Sequence, residues 1–303
     1  MIVGAGLAGL IAAHIFPGEV REAASEPKAM HKALLRFRTP EVARVTGIEF
    51  EPVTVRKGIW SFAEDGFVKP TIRLANQYSA KCLNGWLSNN RSIWNLEPVI
   101  RYIAPENLYE QLLANLAGRV RWNSPYDFAE DATGRPVIST VPMDITLAQL
   151  GIKPPNLTFN KAPISVKRFR IPECDLYQTI YYPEPDFNVY RASITKDLLI
   201  VETTDLQDHT VTGFNSVCDS FGIAPGDLHY IEKSNQRYGK IAAIDDFARK
   251  QLMVRLTNDH NIFSLGRFAT WRNILLDDVV HDALIIKKLL KATAYDRKLH
   301  LHQ

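Results

Sequence analysis

Cysteine is scarce in this chain of 303 residues: Cys82, Cys174 and Cys218 lie far apart and form no CxxC pair. Their spacing argues against a zinc site, and three separated thiols fit a reducing compartment. A cytoplasmic location is expected, the host cytoplasm if the chain is virus-encoded. Charge of one sign is also lacking. A net charge of +3 is too small to argue for nucleic acid by itself. Long apolar runs are missing, so no bilayer span and no membrane partner is expected. The opening MIVGAGLAGLIAAHIF is apolar but has no basic flank, and Arg21 follows only after Pro17 and Gly18, so a targeting role is not expected. The eight histidines show no metal spacing, no Ser-His-Asp logic is visible, and neither repeats nor low-complexity tracts occur. What remains is 46% hydrophobic and 23% charged, the composition of a compact soluble enzyme.

The pattern of elements points to an α/β chain. A strand at Met1 to Val3, a short helix over Leu7 to Phe16 and a strand at Glu19 to Glu22 make a small strand–helix–strand start, with Pro17 and Gly18 stopping the helix. Leu108, Leu112, Leu113 and Leu116 fall on one face of a helix at 106–117, and RVRW (119–122) and PVISTVP (136–142) read as strands. Four strand-like runs between Pro163 and Glu202, separated by Pro, Asp and Asn turns, predict an antiparallel sheet. A helix with Phe214, Val217, Cys218 and Phe221 on one side follows. The last strand is Ile262 to Leu265 and the last helix begins near Asp277. Residues 58–104 show little period and are expected to form irregular structure and short strands packed over a site. The predicted architecture is a Rossmann-like nucleotide domain (1–57, 105–150 and 246–303) with an inserted, mostly antiparallel β substrate domain (58–104 and 151–245).

Gly4, Gly6 and Gly9 form GxGxxG between the first strand and the first helix. Gly4 permits a tight turn, Gly6 lets the backbone approach a pyrophosphate, and Gly9 lets helix and strands pack closely. The helix start at Leu7, Ala8 and Gly9 offers N–H groups and a partial positive charge to phosphate. Glu22 closes the second strand, where a carboxylate takes ribose hydroxyls and disfavours a 2′-phosphate, hence NADP. The motif by itself does not distinguish NAD from FAD.

The segment SLGRFATWRNILLDDVVHDAL makes that choice, because it resembles the second FAD-binding segment of the amine oxidase and UDP-galactopyranose mutase-like flavoproteins. The spacing of Gly266-Arg267, Thr270-Trp271-Arg272 and Asp278 is similar to that of the mutases in particular. The resemblance implies FAD as cofactor, with Arg267 on the pyrophosphate or ribityl chain and the N–H groups of Asp278 and Val279 beside flavin N1 and O2, where negative charge collects on reduction. IYYPEPDFNVYRASI (180–194) is similar to the substrate-domain strands of the same superfamily, which implies that Tyr181, Tyr182 and Arg191 line the cavity. Arg191, Arg237 and Arg272, with Arg36 and Arg38, suit a phosphate or carboxylate through their fork geometry, and Arg36 is assigned to the cofactor. Lys57 and Lys240 are candidates for a general base or a partner of a water at flavin N5.

Three reactions fit these residues. In the first, hydride passes from a carbon next to nitrogen to flavin N5, with Tyr181, Tyr182 and Trp271 holding a neutral amine. A narrower version follows from a resemblance to phage flavoproteins of thymine hypermodification, which implies a glycyl-modified base in DNA as substrate; Lys167, Arg168 and Arg170 then face DNA phosphates, or else form a solvated strand face. The second is a non-redox, mutase-like reaction on a sugar nucleotide, with arginines on the diphosphate. The third is a flavin-binding protein without turnover. Polar, aromatic residues between Asn76 and Pro98 favour a substrate pocket over the third.

Overall fold

The computed structural model describes residues 1–28, 35–82, 93–130, 134–154, 157–204 and 211–291. The chain opens with β1 (Ile2–Val3), α1 (Leu7–Ile15) and β2 (Val20–Arg21). Nearly all of α1 is apolar and buried, so it is a core helix with no solvent face, and it ends where Pro17 and a left-handed Gly18 turn the chain back. Then come β3 (Arg36–Phe37), α2 (Glu41–Thr46), β4 (Glu51–Ser61), β5 (Gly66–Phe67), α3 (Ile72–Cys82) and β6 (Val99–Ile103). The second half of the nucleotide unit is α4 (Leu108–Ala114), β7 (Val120–Arg121), β8 (Val137–Ser139) and α5 (Met143–Gln149). A run of long strands follows: β9 (Lys161–Arg170), β10 (Leu176–Tyr181), β11 (Val189–Lys196) and β12 (Leu198–Thr203). The chain continues with α6 (Val211–Phe221), β13 (His229–Ile241), α7 (Asp246–His260), β14 (Ile262–Ser264) and α8 (Leu276–Leu289).

Five short parallel strands form the first sheet in the order β14-β8-β1-β2-β7. Counted along the chain this is 5-4-1-2-3, a Rossmann order whose direction reverses between β1 and β8. Helix α1 packs on α8, α2 and α4, and its Leu10, Ile11 and Ala12 sit in one core with Val280, Ala283 and Leu112. The strands are only two or three residues long; β1, β8 and β14 are buried throughout, as a sheet covered on both faces requires.

The second sheet runs β13-β9-β12-β11-β10-β4-β6-β3, with β5 hairpinned onto β4. Only β4 and β10 pair parallel; the other ladders are antiparallel. The expected antiparallel sheet at 163–202 is thus present, but larger than four strands. At 58–104 short strands are present as expected, in the end of β4, in β5 and in β6, but the expectation of otherwise irregular structure is corrected by α3, an 11-residue helix. Residue 57, where the nucleotide unit was expected to end, lies inside β4, whose Glu51 already pairs in the second sheet. One face of this sheet is apolar, with Ile180, Tyr182, Ala192, Ile194 and Val201 packed under α6. Among the described residues, no helix is long and apolar enough to cross a membrane.

Candidate functional site

All five strands of the first sheet are parallel, so the segments leaving their carboxyl ends meet along one edge. After β1 the chain turns at Gly4 (φ +98°), and Gly6 is the extended residue preceding α1. A Cβ on Gly4 would run into the Thr140 hydroxyl, and one on Gly9 would overlap the Gly4 carbonyl oxygen. Both glycines are therefore demanded by the fold. Gly6 is different: a Cβ there would meet nothing within 4 Å. The protein itself does not need Gly6, whereas a phosphate lying across the turn would, because only a bare Cα lets backbone N–H groups reach it. Leu7, Ala8 and Gly9 form the first turn of α1 behind this opening. The Glu22 carboxylate accepts from the Ala5 N–H at 2.7 Å and the Ala24 N–H at 3.0 Å, which pins it beside the same turn. Each of its oxygens keeps a lone pair for a hydroxyl donor. Thr140, which sequence reasoning passed over, donates to the Val3 carbonyl at 2.9 Å and walls the turn from the β8 side.

The second segment enters from β14. Leu265 donates to Ser139 O at 2.8 Å, extending the ladder, and Gly266 then turns at φ +92°. A Cβ on Gly266 would lie 2.9 Å from the Ala8 methyl, so the Gly266-Arg267 corner abuts the start of α1. Thr270 closes the turn through its N–H and hydroxyl, both donated to Gly266 O at 3.0 and 2.8 Å. The two sequence motifs, some 260 residues apart, are adjacent in the fold.

The structure places several expected site residues elsewhere. Trp271 is buried, donates its indole N–H to Ala242 O at 3.0 Å and meets Phe159 edge-on at 4.9 Å; it is a core residue whose face is not presented to a substrate. Tyr182 lies under α6 on the apolar face, with its hydroxyl 2.6 Å from Ser220 Oγ, away from Tyr181. Burial pushes the Tyr182 hydroxyl above the normal tyrosine range. Arg272 is tied to Asp282 of α8 and reaches Thr270 Oγ1 at 3.4 Å. Burial raises the Asp282 carboxyl, with Arg272 opposing the rise.

At the start of α8 the expected donors also change. The N–H groups of Asp278 and Val279 both point to Leu275 O, at 3.1 and 3.3 Å. The groups with no carbonyl one turn back are those of Leu276 and Asp277, the first two residues of the helix. The Asp278 carboxylate caps the helix by accepting from Leu275 N at 2.8 Å, and it takes a bidentate bond from Arg38 at 2.6 Å. Asp277 accepts from the Arg38 and Thr39 N–H groups and from Thr39 Oγ1. Arg38 is thereby committed to α8, and through it β3 is fastened to the helix start.

Residue Arg36, assigned to the cofactor from sequence, instead crosses the second sheet. It donates to Thr179 Oγ1 at 2.8 Å, to Thr195 Oγ1, and to the carbonyls of Gln178 and Ile194. Three strand spacings separate β3 from β10, roughly 14 Å in a flat sheet and beyond an arginine's reach. The sheet must therefore curl, and its concave face holds these contacts. That face is polar. Arg191 and Glu202, direct partners in the β11–β12 ladder, form a two-pronged ion pair in which Glu202 is 1% exposed. A bulge at Tyr190 turns its side chain to the same face, where the hydroxyl donates to Glu202 at 2.9 Å. Arg191 holds the Glu202 carboxyl down at about 2 against the upward push of burial, and Glu202 holds Arg191 well above its ordinary value. Lys240, buried near the end of β13, stands 4.3 Å from the centroid of the Tyr190 ring. Two residues on, Ala242 receives the Trp271 indole, so this end of the concave face borders the Gly266 turn. Tyr181 shares the face, edge-on to Tyr78 at 5.3 Å. Of the DNA-facing candidates, Arg168 is paired with Glu106 and Glu232, and Arg170 with Glu106 and Asp197. Among the described residues, no group of three His, Cys, Asp or Glu is arranged to hold a metal ion.

No protein-family model and no curated protein matches the sequence. Solved structures do. Reduced UDP-galactopyranose mutase is similar over 89% of this chain and 88% of its own, at 13% identity and a TM-score of 0.56. A tryptophan C-6 flavin-dependent halogenase from taromycin biosynthesis matches over 98% of this chain and 73% of its own, at 11% identity and a TM-score of 0.55. Aklavinone-11 hydroxylase, solved with FAD and aklavinone, matches over 95% and 61%, at 11% identity and a TM-score of 0.52. At such low identity the likeness shows the fold, and that fold is the one used by FAD-dependent flavoproteins.

Proposed function

We propose that this chain binds FAD and is an oxidoreductase acting on a C–N bond of an amine or an amine-bearing nucleotide. One observation carries the cofactor assignment: Gly6 opens onto space that the protein leaves unfilled, at the switch point of a Rossmann sheet, with the Gly266 corner pressed against Ala8 beside it. The donor set fits the group. Leu7, Ala8 and Gly9 take the pyrophosphate, Glu22 the ribose hydroxyls, and Arg267 the phosphate or ribityl side of the corner. The N–H groups of Leu276 and Asp277 would stabilise the anionic charge that collects on a reduced flavin ring held at the start of α8. When bound, FAD supplies the two-electron acceptor for oxidation of the carbon next to nitrogen. The chain's residues supply position: Tyr181 lines the concave face, the Arg191–Glu202–Tyr190 cluster fixes its polarity, and Lys240 holds a proton-carrying amine at the border with the Gly266 turn.

The test is an absorbance spectrum of the purified protein followed by anaerobic mixing with candidate amines, including a glycyl-modified base in DNA. Yellow protein bleached by an amine supports this reading. Yellow protein that bleaches only with dithionite and then converts a sugar nucleotide would replace it with the non-redox reaction of the mutase that the fold resembles. Colourless protein that FAD does not reconstitute would overturn the cofactor assignment itself.

A further inference from the structure

The concave face has a corner whose charge is unbalanced. Register places Lys57 of β4 opposite Thr179 of β10, and Arg101 of β6 opposite Val53, two pairs along β4 on the same side. Arg36 reaches this side from β3 and is bonded to Thr179 and Thr195. Three cations thus share one corner with the hydroxyl-bearing Tyr177, Thr179, Ser193 and Thr195.

Their partners are neutral. Arg36 is held by hydroxyls and carbonyls, Lys57 donates to Asn95 O at 2.6 Å, and Arg101 donates to Ile100 O at 2.8 Å. Among the described residues, no carboxylate forms an ion pair with any of the three. The neighbouring acids are otherwise engaged: Glu202 with Arg191, and Glu51 with Lys196. Glu97 acts on Lys57 and Asp175 on Tyr177, neither in an ion pair with the three cations. Burial and the neighbouring Arg191 and Arg101 bring Arg36 down to about 9, and burial together with Arg101 lowers Lys57. The cations destabilise one another, which a fold relieves by supplying a carboxylate. Here no carboxylate among the described residues is in ion-pair contact with the three.

We propose that the Arg36–Lys57–Arg101 corner binds an oxyanion, phosphate or carboxylate, carried by the substrate. Arg36 is largely engaged and contributes field, while Lys57 and Arg101 keep donors for the ligand. Calling the anion the substrate's rests on the flavoenzyme reading above; the binding itself does not.

Calorimetric titration of the purified protein with sodium phosphate, and separately with sodium acetate, tests this in low-chloride buffer. At least one anion binds at a single site, and Lys57→Gln and Arg101→Gln each weaken it about tenfold, the loss of one charge-assisted bond. Which arm binds identifies the oxyanion. Neither residue is fully buried and each donates to one backbone carbonyl, so the variants keep a folded chain, which their melting temperatures check. Arg121→Gln, at a surface pair with Glu19, leaves binding unchanged. Absence of heat with both anions, or wild-type affinity in both variants, overturns the proposal. The flavin spectrum of the same samples separates the two readings: colourless protein that binds the anion through Lys57 and Arg101 upholds this site while the cofactor assignment fails.

Discussion

Gly266 and Ala8 touch. The bare Cα of one sits where a single added carbon would come within 2.9 Å of the other's methyl, and this contact joins two ends of the sequence into one edge. Gly266→Val combines that collision with a left-handed φ that a branched side chain does not adopt, at a cost of about 1–3 kcal/mol for the backbone alone. A lower melting temperature and reduced flavin content are expected together, read by thermal denaturation and by absorbance of the purified variant.

Gly6 and Gly9 separate folding from binding. Gly9→Ala places a methyl on the Gly4 carbonyl and should prevent a native fold from accumulating, seen as insoluble or unfolded protein by circular dichroism. A Cβ on Gly6 meets none of the described atoms within 4 Å, so Gly6→Val should keep stability within about 1 kcal/mol while abolishing flavin binding. A Gly6→Val protein with full flavin occupancy would contradict the phosphate cradle.

The Glu202 carboxyl is depressed to about 2 from an ordinary 4.5. Its stabilisation is therefore complete above pH 4.5 and is lost as pH falls through 2. Glu202→Gln strands the buried Arg191 charge and should cost about 3–5 kcal/mol at neutral pH. Melting temperatures of both proteins from pH 7 downward should converge as the acid limit is approached.

Lys81 gives a slope of the same sign in a higher pH window. Its ammonium donates to the carbonyls of Tyr182, Glu184 and Val189 at 2.7–2.9 Å, clasping the β10–β11 turn, yet burial brings it down to about 7 from 10.5. The folded protein binds fewer protons than the unfolded chain between those values, so this group makes stability rise with pH from 7 to 10.5. The difference in melting temperature between wild type and Lys81→Met should change across that window; a constant difference would show that the lysine does not titrate there.

Two neighbouring aspartates should behave unequally. Asp277 is buried and accepts three hydrogen bonds from Arg38 and Thr39, so Asp277→Ala leaves backbone donors unpaired and should cost about 1–3 kcal/mol. The Arg38–Asp278 pair is largely exposed, and Arg38→Ala should cost about 1 kcal/mol or less. Urea denaturation distinguishes the two.

The nucleotide unit was legible because its demands are local. Gly4, Gly6, Gly9 and Gly266 answer to backbone geometry at their own positions, and two- or three-residue apolar strands bounded by turns leave little choice of element. Residues 58–104 were not legible for the opposite reason. In β4, Val53 and Val55 alternate cleanly with exposed neighbours, but Lys57 and Gly58 break the pattern, since this end of the strand faces a polar concavity. Helix α7 went unread because it buries Arg249 along with Leu252 and Leu256, so its apolar stripe is thin; its Asp245 cap, which accepts from Ala248 at 2.7 Å, was the available signal. The site residues misplaced from sequence, Arg36, Trp271 and Tyr182, share a cause. Arginine and aromatic side chains reach far, and which partner they take is decided by the curl of a sheet, which spacing along a strand does not encode.

That first sheet has an order in time as well as in space. Its central strand is made first and its outermost strand, β14, nearly last, while α1 waits for α8 to cover it. The pairing of Val137 with Ile262 closes a loop of more than a hundred residues, so the cradle around Gly6 is among the late contacts to form. A nascent chain that has completed the curled sheet would still expose the apolar face of α1, and this exposed helix is where aggregation during synthesis would begin.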